Sequence, residues 1–305
     1  MLPFPSFKLE RPDTLSELID LAAIPDARLV AGGTDLLPNI KHRIERPPLV
    51  VSLGGVSSLH GITQTDEELV IGATTSLSEV AAHDGVTRHY PALAEACRTV
   101  ATSTIQEMGT LGGNVMLDTR CRYLNQPDGW RNAIGGCLKC NGNVCHVAPT
   151  GNGCYAAHSA DTVPVLWVMG AHLALVSANG ERNIPISALY SDDGIRRTTM
   201  QRGEILTAIH LPTPRGFVAH RKLRMRGSID YPLLLCAVRR EGTGATAVLS
   251  AIGPQPIVVH VEQASELVEA AWAAVKPLNT HMASTTWRRH MVRVEVKRAL
   301  EATTR

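Results

Sequence analysis

What the sequence lacks narrows its function before any motif is read. It has no run of about 18 or more apolar residues, so no stretch of it is expected to span a membrane. Its 30 Lys and Arg against 28 Asp and Glu leave a formal charge of only +2, with no concentrated basic field. Nucleic acid is therefore not an implied partner. The opening MLPFPSFKLERPD has no basic stretch followed by an apolar one, so a cytoplasmic location is expected, where disulfides do not persist. Aromatics make up 4% of the chain, and internal repeats and low-complexity tracts are missing. So are the Walker loop and the GxGxxG fingerprint, which removes the nucleotide-binding readings attached to those motifs.

With 305 residues and 44% apolar content, the chain can bury real cores, in two or three globular units. Five of its seven cysteines crowd into the 34 residues from Cys121 to Cys154, a Gly/Asn/Pro-rich stretch with little helical or strand periodicity. Such a segment needs something other than a core to hold its shape, and metal ligation is the simplest candidate. Two kinds of centre suit the spacing. Cys137-Leu-Lys-Cys140 is a CxxC pair that Cys145, His146 and Cys154 could complete as a tetrahedral zinc site. Cys121-x15-Cys137-x7-Cys145-x8-Cys154 instead offers four thiolates from four separate turns, as a cubane iron–sulfur cluster requires, although it matches no common ferredoxin run. Cys97 and Cys236 stand apart in apolar surroundings and read as core.

The chain opens with Thr14-Leu-Ser-Glu17, a capping-box pattern, followed by Leu15, Leu18, Ile19 and Ala22 at helical spacing to about Ala23. A short strand, Arg28 to Val30, then runs into Ala31-Gly32-Gly33-Thr34-Asp35. Paired glycines after a strand allow positive φ and turn successive N–H groups toward one point, an anion nest suited to a pyrophosphate; they also suit an ordinary tight turn. Strands are expected at Leu49–Leu53, Leu69–Ala73 and His172–Val176, and helices at Ser76–Ala82 and Tyr90–Ala101. Thr110-Leu111-Gly112-Gly113-Asn114 is a second double glycine, able to grip phosphates from another direction. The cysteine segment reads as an insertion between Asn114 and Asp161. After a linker at Leu211–Gly216 come strands at Val218–Leu223, Leu233–Arg239, Ala245–Ser250 and Ile257–Val261, then helices at Ser265–Ala274 and Thr286–Ala302. Arg288, Arg289, Arg293, Lys297 and Arg298 in the last helix read as a solvated face or a partner contact.

Taken in order, AGGTDLLP, TLGGN, ADTVPVL, GEILTAIHLP and KLRMRGSIDYP resemble the FAD-binding medium subunits of the xanthine oxidase family of molybdenum hydroxylases, over nearly the whole chain. Within that family the insertion, with CRYLNQP, Trp130-Arg131, GGCLK, CHVAP and CYAAHSAD, is similar to the [4Fe-4S] loop of 4-hydroxybenzoyl-CoA reductase β subunits. The resemblance implies an α+β fold: a two-subdomain FAD-binding unit of the vanillyl-alcohol-oxidase/PCMH type over 1–55 and 56–212, with the iron–sulfur loop at 115–158. A C-terminal domain of three antiparallel strands and helices would occupy 213–305.

The resemblance also implies two cofactors, FAD and a [4Fe-4S] cluster. The cluster ligands would be Cys121, Cys137, Cys145 and Cys154, leaving Cys140 as a fifth thiol that competes with Cys137 for its place. The FAD pyrophosphate would lie on Leu29, Val30, Ala31, Gly32, Gly33, Thr34, Asp35 and Leu36, with Thr110, Leu111, Gly112, Gly113 and Asn114 as the second loop. Asp161 would meet the ribose or adenosine, Leu206 would make an apolar contact, and Lys222 would lie near the isoalloxazine. Read without the family, these three are a loop cap, a core leucine and a solvated lysine. The implied assembly is an (αβγ)2 heterohexamer with a molybdenum cofactor large subunit and a [2Fe-2S] small subunit. Reduced ferredoxin would supply electrons for reductive dehydroxylation of 4-hydroxybenzoyl-CoA, and this chain would relay them without a catalytic acid or base of its own. The alternatives are the FAD subunit of another molybdenum hydroxylase or carbon monoxide dehydrogenase-like enzyme and, outside that class, a zinc-stapled binding module.

Overall fold

The structure, a computed structural model, describes residues 3–227, 229–278 and 283–304. Three sheets follow one another along the chain. The first is parallel, in the order β1 (Lys8–Glu10), β3 (Leu49–Ser52), β2 (Ala27–Val30), with α1 (Leu15–Ala22) and α2 (Leu36–Lys41) in the connections. At the start of α1, Thr14 Oγ1 accepts from Glu17 N at 3.2 Å, while the Glu17 carboxylate reaches back to Asp13 N, one residue before the position a capping box requires. Leu18, Val51 and Leu59 are completely or almost completely shielded beneath this layer.

The second sheet is antiparallel and five-stranded. Its strands are β4 (Ile62–Gln64), β5 (Glu68–Gly72), β6 (His172–Ser177), β7 (Gly180–Pro185) and β8 (Ile205–Pro212), in the spatial order β4-β5-β8-β6-β7. Alternation divides its faces: Leu69, Ile71, Leu173, Leu175, Ile209 and Leu211 enter the main core, whereas Glu68, His172 and His210 lie on the other side. Each core side chain of this kind contributes about 1.5–3 kcal/mol through burial. Over the core lie α3 (Leu77–Ala82), α4 (Asp84–His89), α5 (Pro91–Arg98), α6 (Ser103–Met108) and α7 (Leu111–Val115). A complete capping box starts α3, with Ser76 and Glu79 as its members. The short helix α8 (Asp128–Ala133) lies inside the cysteine segment, and α9 (Val163–Val168) follows it.

The third sheet, β9 (Phe217–Leu223), β10 (Leu234–Glu241), β11 (Gly244–Ser250) and β12 (Ile257–Val261), is an antiparallel meander. One face carries Ala237 and Val248 against α9; the other carries Cys236, Val238 and Leu249 against α10 (Leu267–Ala274) and α11 (Thr285–Ala302). Cys97 and Cys236 are fully buried, and burial pushes both thiols far up.

Several expectations change. The C-terminal sheet has the four strands read from the sequence rather than the three the resemblance implies, and Leu211 and Pro212 belong to β8 rather than to a linker. The helix expected to reach Ala101 stops at Arg98, and Ala101 takes a left-handed φ of 44°. The basic residues of α11 are not simply a solvated face. Arg288 is buried and donates to the carbonyls of Leu278, Leu233 and Ala251, while Arg289 and Arg293 lie over the Trp272 ring at 3.8 and 4.0 Å.

Candidate functional site: a flavin cradle beside a thiol-lined cavity

The two double-glycine segments meet. Gly33 has a φ of 72°, the left-handed turn that glycine adopts without strain. A Cβ on Gly32 would overlap the carbonyl oxygen of Met108, and one on Gly109 would come within 3.4 Å of Thr34 Oγ1. The first loop therefore lies directly on the backbone that enters the second, and only glycine at position 32 permits that approach.

The loops offer different chemistry. Among the described residues, no acceptor lies within hydrogen-bond reach of the N–H groups of Gly32, Gly33, Thr34 or Asp35, so this nest retains free donors. In the second loop the donors are engaged: Leu111 N donates to Thr75 O, Gly112 N to Ala73 O, Gly113 N to Thr110 Oγ1 and Asn114 N to Thr110 O, all at 2.9–3.0 Å. Thr110–Asn114 is thus a capped first turn of α7 rather than a second open nest. What it presents across the fold is the Asn114 carboxamide, whose Oδ1 accepts from both the N–H and the hydroxyl of Thr162.

That contact fixes the residue after Asp161. The pairing of Lys222 with Leu235 in the β9–β10 register puts the lysine on the α9 side of the sheet, and its ammonium lies 2.6 Å from the Asp161 carboxylate. Lys222 also donates to the Thr99 carbonyl at 2.9 Å. Burial raises the Asp161 pKa to about 6 against the opposing pull of Lys222. Neither side chain is solvated, so the solvated-lysine reading fails. Leu206 is buried in the main core opposite Leu175, and Leu29 and Leu36 pack on the apolar layers flanking the first sheet.

Asp35, expected to fix the first turn, accepts from Asn39 Nδ2 at 2.9 Å and also binds a residue that no motif singled out. Arg120 places Nη2 2.9 and 2.8 Å from the two Asp35 carboxylate oxygens, and the arginine is 8% exposed. Asp35 and Arg120 stand 85 positions apart, so spacing carried no sign of the pair.

Arg120 also closes the base of the cysteine segment, exchanging two backbone hydrogen bonds with Ala157 at 3.0 and 2.9 Å. Within the segment, Arg131 is nearly fully buried and donates to the carbonyls of Leu124, Gln126 and Arg43, so a side chain does the work of a core. Cys121, Cys137, Cys145 and Cys154 line one cavity, together with Lys139 and His146. Cys140 does not line it; it closes a tight turn with Cys137 through reciprocal backbone bonds at 3.0 and 2.7 Å. Burial raises the thiol pKa of both Cys121 and Cys154, and neighbouring thiols add to the rise. Among the described residues, no three His, Cys, Asp or Glu side chains converge closely enough to hold a single ion. The Lys139 ammonium is pinned by Asp118, Thr119 and the Gly194 carbonyl, and it lowers the Cys154 pKa against the effect of burial.

The donor sets suit the two groups the resemblance implies: free N–H groups at a glycine turn for a pyrophosphate, and four thiols around one cavity for a cluster. Among the described residues, no helix is long and apolar enough to cross a membrane.

Comparison with known proteins agrees at the level of the family. Residues 5–214 match the family described as the FAD binding domain in molybdopterin dehydrogenase. The chain is 31% identical to an aldehyde oxidoreductase FAD-binding subunit of Escherichia coli strain K12, over 80% of each protein. It is 28% identical to a xanthine dehydrogenase FAD-binding subunit of Escherichia coli O157:H7, covering 98% of this chain and 96% of that one. A carbon monoxide dehydrogenase medium chain of Afipia carboxidovorans is 28% identical over 81% of this chain and 73% of its own length. In fold, the chain superposes on quinoline 2-oxidoreductase from Pseudomonas putida 86 with a TM-score of 0.79 at 22% identity, over 99% of this chain and 98% of that chain. The chain belongs to the FAD-binding domain family of the molybdopterin dehydrogenases and is the FAD subunit of a molybdenum hydroxylase-type oxidoreductase.

Proposed function

We propose that this FAD subunit carries an additional [4Fe-4S] cluster on Cys121, Cys137, Cys145 and Cys154, and that its part in catalysis is electron relay. The observation that carries this reading is the cavity those four thiols share, from which Cys140 is absent. A zinc ion would need its donors to converge on one point, whereas a cubane cluster takes one thiolate per iron around a volume. When bound, the cluster would supply one-electron exchange and FAD would accept or release one or two electrons. The protein positions and shields them. The Gly32–Asp35 N–H groups would meet the pyrophosphate, Asp161 and Lys222 are held to each other as a buried ion pair, and Lys139 places a buried positive charge beside Cys154. The chain would act within an (αβγ)2 heterohexamer, with a molybdenum cofactor subunit and a [2Fe-2S] subunit.

The resemblance of the loop supports 4-hydroxybenzoyl-CoA as substrate of the complex and reduced ferredoxin as its electron donor. A second reading rests on the 31% identity to an aldehyde oxidoreductase subunit: an aldehyde- or heterocycle-oxidising complex in which the loop serves another carrier. Iron, sulfide and flavin assays on anaerobically purified protein test the first step. About four iron and four sulfide with one FAD per chain are expected. Zinc without sulfide would overturn the cluster and leave the FAD subunit. Turnover by the whole complex, with 4-hydroxybenzoyl-CoA and reduced ferredoxin against aldehyde and an artificial acceptor, separates the two substrates.

A further inference from the structure

The flavin cradle and the cysteine cavity are joined by one side chain. Arg120 immediately precedes Cys121, one wall of the cavity. Its backbone is clamped to Ala157 at the base of the loop, and its guanidinium holds both carboxylate oxygens of Asp35. Asp35 in turn follows Gly33 and Thr34, whose N–H groups have no acceptor among the described residues. Arg120 is 8% exposed, and its Nε is buried with no partner among the described residues, so Asp35 does not saturate it.

The Gly- and Asn-rich loop around the cavity has little apolar core and is held by a few polar contacts, so a ligand bound by Cys121 would add a further tie beside Arg120. Fixing Cys121 fixes the neighbouring backbone. That backbone sets where the guanidinium stands, and the guanidinium sets the Asp35 carboxylate at the turn that meets the flavin nucleotide. One guanidinium nitrogen, Nη2, reaches both Asp35 oxygens, so where the buried Arg120 stands bears directly on where the carboxylate stands.

We propose that Arg120 is the positioning residue that couples the two sites, so that a filled cysteine cavity tightens FAD binding and, by linkage, bound FAD stabilises the filled cavity. The inference rests on the cluster reading above. It concerns a coupling between sites, and it holds whichever substrate the complex uses.

The test is FAD affinity, measured by flavin fluorescence on the full-length chain with its cluster present and after the iron has been chelated out, for wild type, R120M and R120K. In wild type, removing the cluster should weaken FAD binding about tenfold, a typical size for coupling between sites. In R120M, binding should be weak in both states and their ratio close to one. R120K keeps the charge and one nitrogen donor on a shorter reach, and it should restore part of the ratio. Circular dichroism and a thermal scan establish that each variant is folded. A wild-type ratio of one, or the same ratio in R120M as in wild type, would overturn the coupling. A chain that holds neither iron nor sulfide would overturn the cluster reading, and the coupling with it. A loaded chain with an unchanged R120M ratio overturns the coupling alone.

Discussion

Asp161 and Lys222, 61 positions apart in sequence, form an ion pair of 2.6 Å with both side chains buried. Asp161 reaches the pair because Asn114 anchors the next residue, Thr162, and Lys222 because the β9–β10 register turns it toward α9. Two residues assigned to opposite ends of a flavin thus share one contact, at the joint between the second and third sheets.

That contact has a pH consequence. Burial lifts the Asp161 carboxyl from 3.8 to about 6 in the fold, so the folded chain holds this proton more tightly than the unfolded chain. Its contribution to stability is greatest below about pH 4 and falls as pH rises to about 6. Urea unfolding of the flavin-free chain at several pH values should show this decline in wild type, and D161N should flatten it. Superimposable pH profiles for the two proteins would show that the carboxyl titrates normally.

Much of the architecture was legible in the sequence because it rests on local patterns. The apolar runs at Leu69–Ala73 and Ile257–Val261 and the periodic apolar face of Leu15–Ala22 each report on a single element. The site was legible in part. Glycines 32 and 33 announce a turn, but nothing local reveals that Met108 lies beneath them. The cysteine spacing left zinc and iron–sulfur open; the resemblance set Cys140 aside, and Cys140 also lies outside the cavity that the other four line. Arg120, Arg131 and Arg288 were invisible for another reason: buried arginines that bind carboxylates or carbonyls from distant segments look like surface charges in one dimension.

Cys140 gives a selective prediction. Because it lies outside the cavity, C140S should keep full iron and sulfide, whereas C121S, C137S, C145S and C154S should each lose most of both. Iron and sulfide analysis with electron paramagnetic resonance of the reduced protein reads this directly. Loss of iron in C140S with retention in C137S would reverse the assignment.

Gly32→Ala tests the contact between the glycine loops. The new methyl group would overlap the Met108 carbonyl, and backbone cannot rotate aside as a flexible side chain can. The loops must separate, at a cost of about 1–3 kcal/mol. The folded variant should bind FAD at least tenfold more weakly, as measured by fluorescence titration. Gly129→Ala, where an added Cβ meets nothing within 4 Å, serves as the control and should leave FAD affinity unchanged.

Arg131 tests what holds the cysteine loop together. Its guanidinium joins Leu124 and Gln126 within the loop to the Arg43 carbonyl outside it, with Asp128 at 3.1 Å as its acidic partner. Methionine would fill much of the volume but leave these buried carbonyls without a donor, at about 1–3 kcal/mol for each one that stays dry. Because the contacts are confined to the loop and α2's exit, R131M should loosen this region first. Limited proteolysis should cut within residues 116–157 many times faster than in wild type, while the thermal midpoint of the remaining fold moves little. A large drop in the global midpoint without selective cleavage would mean that Arg131 supports the whole domain rather than the loop.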